Sequence, residues 1–259
     1  MGLPSERPFI FRVVILAAGK GTRMKSELPK ALVPVAGKPI LQHLLENISL
    51  SGLDPKPVVV IGHERQHICD AFGGRCDYAV QEFQKGTAHA VMSAKPKVGE
   101  SDAVIVLYGD HPFVSQHSLR KLAKRHVGER NVLTMMTATV PSFDGWHKVF
   151  QQWGRILRDQ AGKITGIREY KDAYEVERAI REVNPALMCF DAGWLWTNIE
   201  KVRPNNAQGE LYLTDLVALA FAQGQKIDTL EILPEEAIGI NSPEELEIAE
   251  AILERRKGH

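Results

Sequence analysis

Cysteine is scarce in this 259-residue sequence, and neither sign of charge is in excess. The three cysteines, Cys69, Cys76 and Cys189, are odd in number and lack metal-ligand spacing. That argues against a disulfide framework and for free thiols in a reducing, cytoplasmic compartment. Lys+Arg and Asp+Glu each total 32, so charge recommends neither a nucleic-acid partner nor an anionic membrane. Any anion must be held by local chemistry. Long apolar runs are missing too: the first, residues 9–18, contains Arg12 and falls short of the roughly 20 residues that cross a bilayer. Residues 1–8 carry no signal-peptide pattern, and a soluble, unprocessed chain is expected. No internal repeat, low-complexity tract or linker composition interrupts the sequence.

What is present is an ordinary globular composition, 44% hydrophobic and 25% charged. Residues 13–16 form a β-branched and aliphatic run that stops at Ala17-Ala18-Gly19-Lys20-Gly21, the pattern of a buried parallel strand entering a glycine-rich turn. Residues 39–47 place Ile40, Leu41, Leu44 and Leu45 on one helical stripe. Strands are expected at 57–61, 78–81 and 103–107, with helices at 66–72 and 87–94, the second capped by Thr87. This alternation predicts an α/β fold: a Rossmann-like, open, mostly parallel sheet flanked by helices, with ligands beyond the carboxyl ends of the strands. From Val132 to Asp191 longer alternating stretches (133–140, 154–157, 164–170, 186–191) suggest a mixed sheet. The expected division is therefore a sheet core at about 11–131 and 204–252, with a smaller lobe at about 132–203 that receives another substrate. A helix over 211–222, a strand over 228–232 and a last helix opened by Ser242-Pro243-Glu244-Glu245 complete the reading.

Three loops carry candidate chemistry. The turn 16–24 sets two glycines behind a strand, so backbone N–H groups can approach a phosphate. It matches neither the P-loop nor the dinucleotide fingerprint, and a purely structural turn remains the alternative. Arg23 and Lys30 could flank phosphates from two sides, or be solvated cations. Asp110, after Tyr108 and Gly109 at a strand end, could bridge Mg²⁺ to nucleotide phosphates, or merely cap the next helix. The nine histidines form no ligand-spaced cluster, and His111 reads as a positional accident beside Asp110.

Taken in order, Leu16-Ala17-Ala18-Gly19-Lys20-Gly21-Thr22-Arg23-Met24, Leu28-Pro29-Lys30, Gln81, Gly86-Thr87 and Tyr108-Gly109-Asp110 resemble the sugar-nucleotide pyrophosphorylases. Within them the chain is most similar to the uridyltransferase domain of bacterial bifunctional N-acetylglucosamine-1-phosphate uridyltransferases. The resemblance extends through Gly154-Arg155-Ile156, Glu169 to Asp172, Asn184, Asn205 to Glu210, Tyr212 to Asp215, and Asn241. It implies nucleotide contacts from Leu16, Ala17, Ala18, Gly19, Gln81, Gly86, Thr87, Tyr108 and Gly109, with Arg23, Lys30 and Asp110 as catalytic residues. Asp110 and Asn241 would ligate Mg²⁺, and Gly154, Glu169 and Asn184 would meet the sugar. Gln81 suits the edge of uracil because one amide both donates and accepts.

The implied reaction joins UTP to N-acetylglucosamine 1-phosphate, giving UDP-N-acetylglucosamine and pyrophosphate. Two departures bear on the sugar. The family's Asn-Thr-Gly is Asn184-Pro185-Ala186 here, and the segment from Trp146 to Trp153 is longer and adds aromatics that pack the lobe or stack on a sugar. The same chemistry on another sugar 1-phosphate or nucleoside triphosphate is thus one alternative, and a non-catalytic sugar-nucleotide binding module is another. The family's hexapeptide-repeat acetyltransferase domain has no counterpart in the sequence, so a monomer or weak homodimer is expected.

Overall fold

A computed structural model describes residues 7–19, 21–62 and 65–257. Lys20 of the glycine-rich turn, together with His63 and His259, lies outside the described residues.

The first half of the chain alternates as expected. Strand β1 (Phe11–Leu16) leads through a loop and the short hairpin β2 (Pro34–Val35) and β3 (Lys38–Pro39) into helix α1 (Ile40–Ser51). Then come β4 (Val58–Ile61), α2 (Arg65–Phe72), β5 (Asp77–Val80), α3 (Thr87–Val98), β6 (Ala103–Tyr108) and α4 (Gln116–Gly128). The second half runs β7 (Leu133–Thr139), β8 (Arg155–Arg158), β9 (Ile164–Arg168), α5 (Glu175–Arg178), β10 (Glu182–Val183) and β11 (Met188–Asp191). It ends with α6 (Ala192–Asn198), α7 (Asp215–Ala222), β12 (Ile227–Glu231), α8 (Pro234–Ala237) and α9 (Pro243–Lys257).

These strands make one mixed sheet in the order β5-β4-β1-β6-β11-β7-β10-β8-β9, with β12 also pairing β7. The first four strands are mutually parallel, which requires helical crossovers on the faces of the sheet. Strand β11 returns antiparallel to β6 and also pairs β7, so the segment from β8 to β10 is an excursion from the same sheet.

Alternation along β1 feeds two cores. Val13 and Ile15 face the layer containing Leu41, Leu44 and Ile48, while Val14 faces the layer of Ala88, Val91, Ala94 and Val98. The small side chains of α3 let its backbone lie close to β1, β4 and β5, and Gly52 ends α1 in the left-handed region at φ +72°. Among the described residues no helix is long and apolar enough to cross a membrane.

Two local expectations need correction, and one contact accounts for both. Thr87 does not cap α3: Gly86 occupies the cap position, and Thr87 Oγ1 instead accepts from the Leu213 N–H at 2.8 Å. The helix expected from residue 211 begins only at Asp215. The backbone at 211 is already committed, its N–H donating to the Lys85 carbonyl (2.8 Å) and its carbonyl accepting from the Ala88 N–H (2.9 Å). An apolar periodicity cannot reveal such a long-range pairing.

Candidate active site

The carboxyl ends of β1, β5 and β6 and the start of α3 enclose a cleft of about 250 Å³. Its walls include all nine residues expected to meet the nucleotide: Leu16, Ala17, Ala18, Gly19, Gln81, Gly86, Thr87, Tyr108 and Gly109, with Lys30 and Asp110. Backbone geometry explains the loops. The Ala17 N–H donates to the Val60 carbonyl (2.9 Å), so an anion in this turn must be met by residues after Ala17. Gly21 lies at φ +60°, and a Cβ there would stand 2.9 Å from Lys30 Cβ, so glycine lets Lys30 close over the turn. Gly86, at φ +106°, presses on the backbone of Leu211, whose carbonyl oxygen would be 2.5 Å from an added Cβ.

A second cavity, of about 390 Å³, adjoins the first. It brings Gly154, Glu169 and Asn184 together with Arg23, Asp110 and Asn241, and shares Thr87, Tyr108 and Asp110 with the nucleotide cleft. Arg23 thus lines this second cavity, whereas Lys30 lines the first. Gly154 and Asn184 are joined by the Asn184 N–H to the Gly154 carbonyl (2.9 Å), and a side chain at 154 would press on Glu169 Oε2 at 3.3 Å. Burial pushes the Glu169 carboxyl above the ordinary range, Thr214 opposes this by donating to Oε1 at 3.1 Å, and Asp215 and Asp172 reinforce it. Pro185 and Ala186 line this cavity as well, with Ala186 at φ +60°.

The two cavities meet at Asp110. Lys30 Nζ donates to Asp110 Oδ2 at 2.6 Å and to Asn241 Oδ1 at 2.9 Å, gathering three expected residues from distant chain positions. Asp110 Oδ1 is buried without a hydrogen-bond partner. Burial works against its charge, but the Lys30 ammonium and nearby His111 outweigh that and hold the carboxyl below its usual value. An orphaned carboxylate oxygen beside an amide oxygen is a hard donor set that fits Mg²⁺, with remaining positions left to phosphate and water. Among the described residues no group of three or more His, Cys, Asp or Glu could hold a metal alone.

Sequence reasoning missed several cavity residues. His111 is buried, stacks between Tyr108 and Trp153 at centroid distances of 5.9 and 5.5 Å, and lines the acceptor cavity. Burial holds its imidazole below the ordinary value, and Gly239 makes room for it: a Cβ there would be 2.5 Å from Nε2. Gln84 steadies the glycine-rich turn through Nε2, which donates to the Ala18 carbonyl at 2.5 Å. In the 146–153 segment Trp146 packs edge-on against buried Phe150, while Trp153 stacks on His111 and lines the second cavity. Arg155, fully buried, ties this segment down by donating to the carbonyls of Gln151 (2.9 Å) and Trp153. Only its place after Gly154 signalled it.

Comparison with known proteins agrees with this geometry. Residues 13–185 match the family described as MobA-like NTP transferase domain. The chain is 41% identical over 245 residues to the bifunctional protein GlmU of Brevibacillus brevis, covering 94% of this chain and 51% of that protein. It is also 41% identical over 249 residues to that of Desulfotalea psychrophila, covering 95% and 71%. For Heliobacterium modesticaldum the identity is 42%, with coverage of 94% and 52%. The chain thus spans about half the length of two of these relatives. Two solved structures share the fold at 20% identity. One is a putative glucose-1-phosphate thymidylyltransferase from Bacillus anthracis in complex with a sucrose (TM-score 0.74, 93% of this chain and 94% of that one). The other is a CMP:2-keto-3-deoxy-manno-octonic acid synthetase complexed with CTP (TM-score 0.69, 95% and 99%).

Proposed function

From the premise that this chain belongs to the MobA-like NTP transferase domain family, we propose that it transfers a uridylyl group from UTP to N-acetylglucosamine 1-phosphate, releasing pyrophosphate. The observation that carries this reading is Asp110 standing where two cavities meet, one lined by a phosphate turn and one by sugar-compatible acceptors. A sugar phosphate oxygen attacks the α-phosphorus in line, forming one P–O bond as the bond to pyrophosphate breaks. Such a transfer asks the protein mainly for alignment and charge neutralisation.

In this reading the turn from Ala18 receives the triphosphate and Lys30 neutralises charge on it. Arg23 steers the incoming sugar phosphate from the acceptor side. Gln81 meets the base, and Glu169, Asn184 and the backbone at Gly154 meet the sugar. Asp110 and Asn241 hold Mg²⁺, which supplies charge neutralisation at the phosphates. The three free cysteines fit a cytoplasmic enzyme, acting as a monomer or weak dimer.

Pyrophosphate release with Mg²⁺, measured for each nucleoside triphosphate against a panel of sugar 1-phosphates, tests the proposal. UTP with N-acetylglucosamine 1-phosphate should be the best pair, and Asp110→Ala should abolish release. Pro185 and Trp153 in the acceptor cavity favour one second reading, in which the same transfer serves a different sugar phosphate and another column of that panel wins. Tight sugar-nucleotide binding with no release from any pair would instead make the chain a binding module.

A further inference from the structure

Gln81 does more than line the nucleotide cleft: its side chain is held at two points. Nε2 lies 3.1 Å from the Gly86 carbonyl oxygen and 3.1 Å from His89 Nδ1. A carbonyl oxygen only accepts, so the end of the amide facing it must be the NH₂ group. This fixes the orientation of Gln81. It also fixes His89, whose Nδ1 must then present a lone pair, leaving the ring proton on Nε2. Burial and the neighbouring Lys85 ammonium favour the same neutral ring by pushing its pKa below the ordinary value.

Both N–H groups of Gln81 are therefore spent inside the protein, which corrects the expectation that this amide both donates to and accepts from a base: Oε1 is what the side chain has left to offer a ligand. The bases divide on this point. Uracil, thymine and guanine carry a ring N–H on the pairing edge, where cytosine and adenine carry a lone pair. An acceptor that meets the ring nitrogen welcomes the first group and repels the second. Turning the amide over would set Oε1 against the Gly86 oxygen and would require the His89 ring to move its proton from Nε2 to Nδ1, so the two contacts together favour one orientation.

We infer that His89, which does not itself line the cleft, is a positioning residue for base selection: it keeps Gln81 Oε1 toward the nucleotide, so that a ring N–H is required. The inference rests on the proposed nucleotidyl transfer but not on which sugar is used.

The test is affinity and kcat/KM for UTP, dTTP, GTP, CTP and ATP, with Mg²⁺, using the full chain. Three proteins are compared: wild type, His89→Asn, whose side-chain oxygen replaces the Nδ1 lone pair, and His89→Phe, which removes it while keeping bulk. His89→Leu is a second apolar replacement should Phe fail to fit. Wild type and His89→Asn should share one preference for ring N–H bases. The apolar variant should lose about tenfold of it, chiefly through KM for the nucleotide, with the sugar phosphate KM unchanged. An unchanged ratio in the apolar variant, equal loss in His89→Asn, or a wild-type preference for CTP or ATP would each overturn the assignment. Failure of the uridylyl reading itself looks different: dTTP or GTP would win in wild type, yet the His89 effect would persist.

Discussion

Lys30 Nζ lies 2.6 Å from Asp110 Oδ2, a contact that spans eighty positions of chain and is shared with Asn241 Oδ1. The ammonium also takes the Asn241 oxygen that, together with the unpartnered Asp110 Oδ1, would face a divalent cation. In the proposed reaction Lys30 would therefore be both a catalytic cation and a competitor for the metal position. In Lys30→Met, turnover should fall on the order of 10²–10³-fold, as when one preorganised charge-stabilising group is removed. The Mg²⁺ concentration for half-maximal activity should fall as well. A metal titration of the variant's residual turnover separates the two effects; a raised metal requirement would refute the competition.

Glu169 keeps a carboxyl in a buried place, and its pKa is raised for that reason first. A raised folded-state pKa gives a contribution that is present below the ordinary carboxyl value and lost as pH rises through the folded value, so at neutral pH its charge costs stability. Glu169→Gln, which still accepts from Thr214, should gain about 1 kcal/mol at pH 7–8, the scale of a relieved active-site strain. That gain should shrink toward pH 4. The KM for the sugar phosphate should rise about tenfold, for loss of a charged acceptor. Thermal melts across pH beside steady-state kinetics check both parts.

Ala186 sits at φ +60° between Pro185 and the start of β11. A left-handed alanine costs roughly 1–2 kcal/mol, part of which glycine returns as extra freedom in the unfolded chain. Ala186→Gly should stabilise the protein by about 0.5–1 kcal/mol in denaturant titration. Because Asn184 Oδ1 accepts from the Ala186 N–H at 2.9 Å, the sugar preference should stay within twofold if that turn keeps its shape.

His126 supplies an acid-labile point remote from the cleft. Thr134 Oγ1 accepts from Asn131 Nδ2 at 3.0 Å and lies 3.1 Å from His126 Nδ1. Burial pushes this imidazole down to about 4. Its lowered pKa means the unfolded chain binds the proton first: the stability contribution is complete above about pH 6.5 and is lost as pH falls toward 4. Urea midpoints should drop through this window in wild type, by up to roughly 3 kcal/mol from this group. They should drop less in His126→Asn, whose amide oxygen cannot titrate there.

That the residues expected to meet the nucleotide share one cleft was legible because parallel strands deliver their carboxyl ends to one edge. Leu16 to Gly19, Gln81 and Tyr108 to Asp110 follow β1, β5 and β6, so each motif's place in sequence already implied its place in space. Asn241 was readable only through the resemblance, since the Asp110–Lys30–Asn241 contact is made across the fold. What stayed hidden depended on pairings without local pattern: the 211–213 backbone against 85–88, the acceptor-side placement of Arg23, and the Gln81–His89 contact. In sequence His111 reads as a positional accident beside Asp110, and nothing local shows that its ring is buried and stacked, with Gly239 making room for it.

The excursion that shapes the acceptor cavity leaves the sheet from β7 and re-enters at β11, and those two strands are hydrogen-bonded neighbours. Its two ends are therefore already stapled together by the sheet, as by the Met136 N–H to the Leu187 carbonyl at 2.8 Å. Such an insert is a cassette. Exchange of its length and contents by recombination or by design should therefore disturb Asp110 and the glycine-rich turn little, as the two ends stay fixed by the β7–β11 pairing.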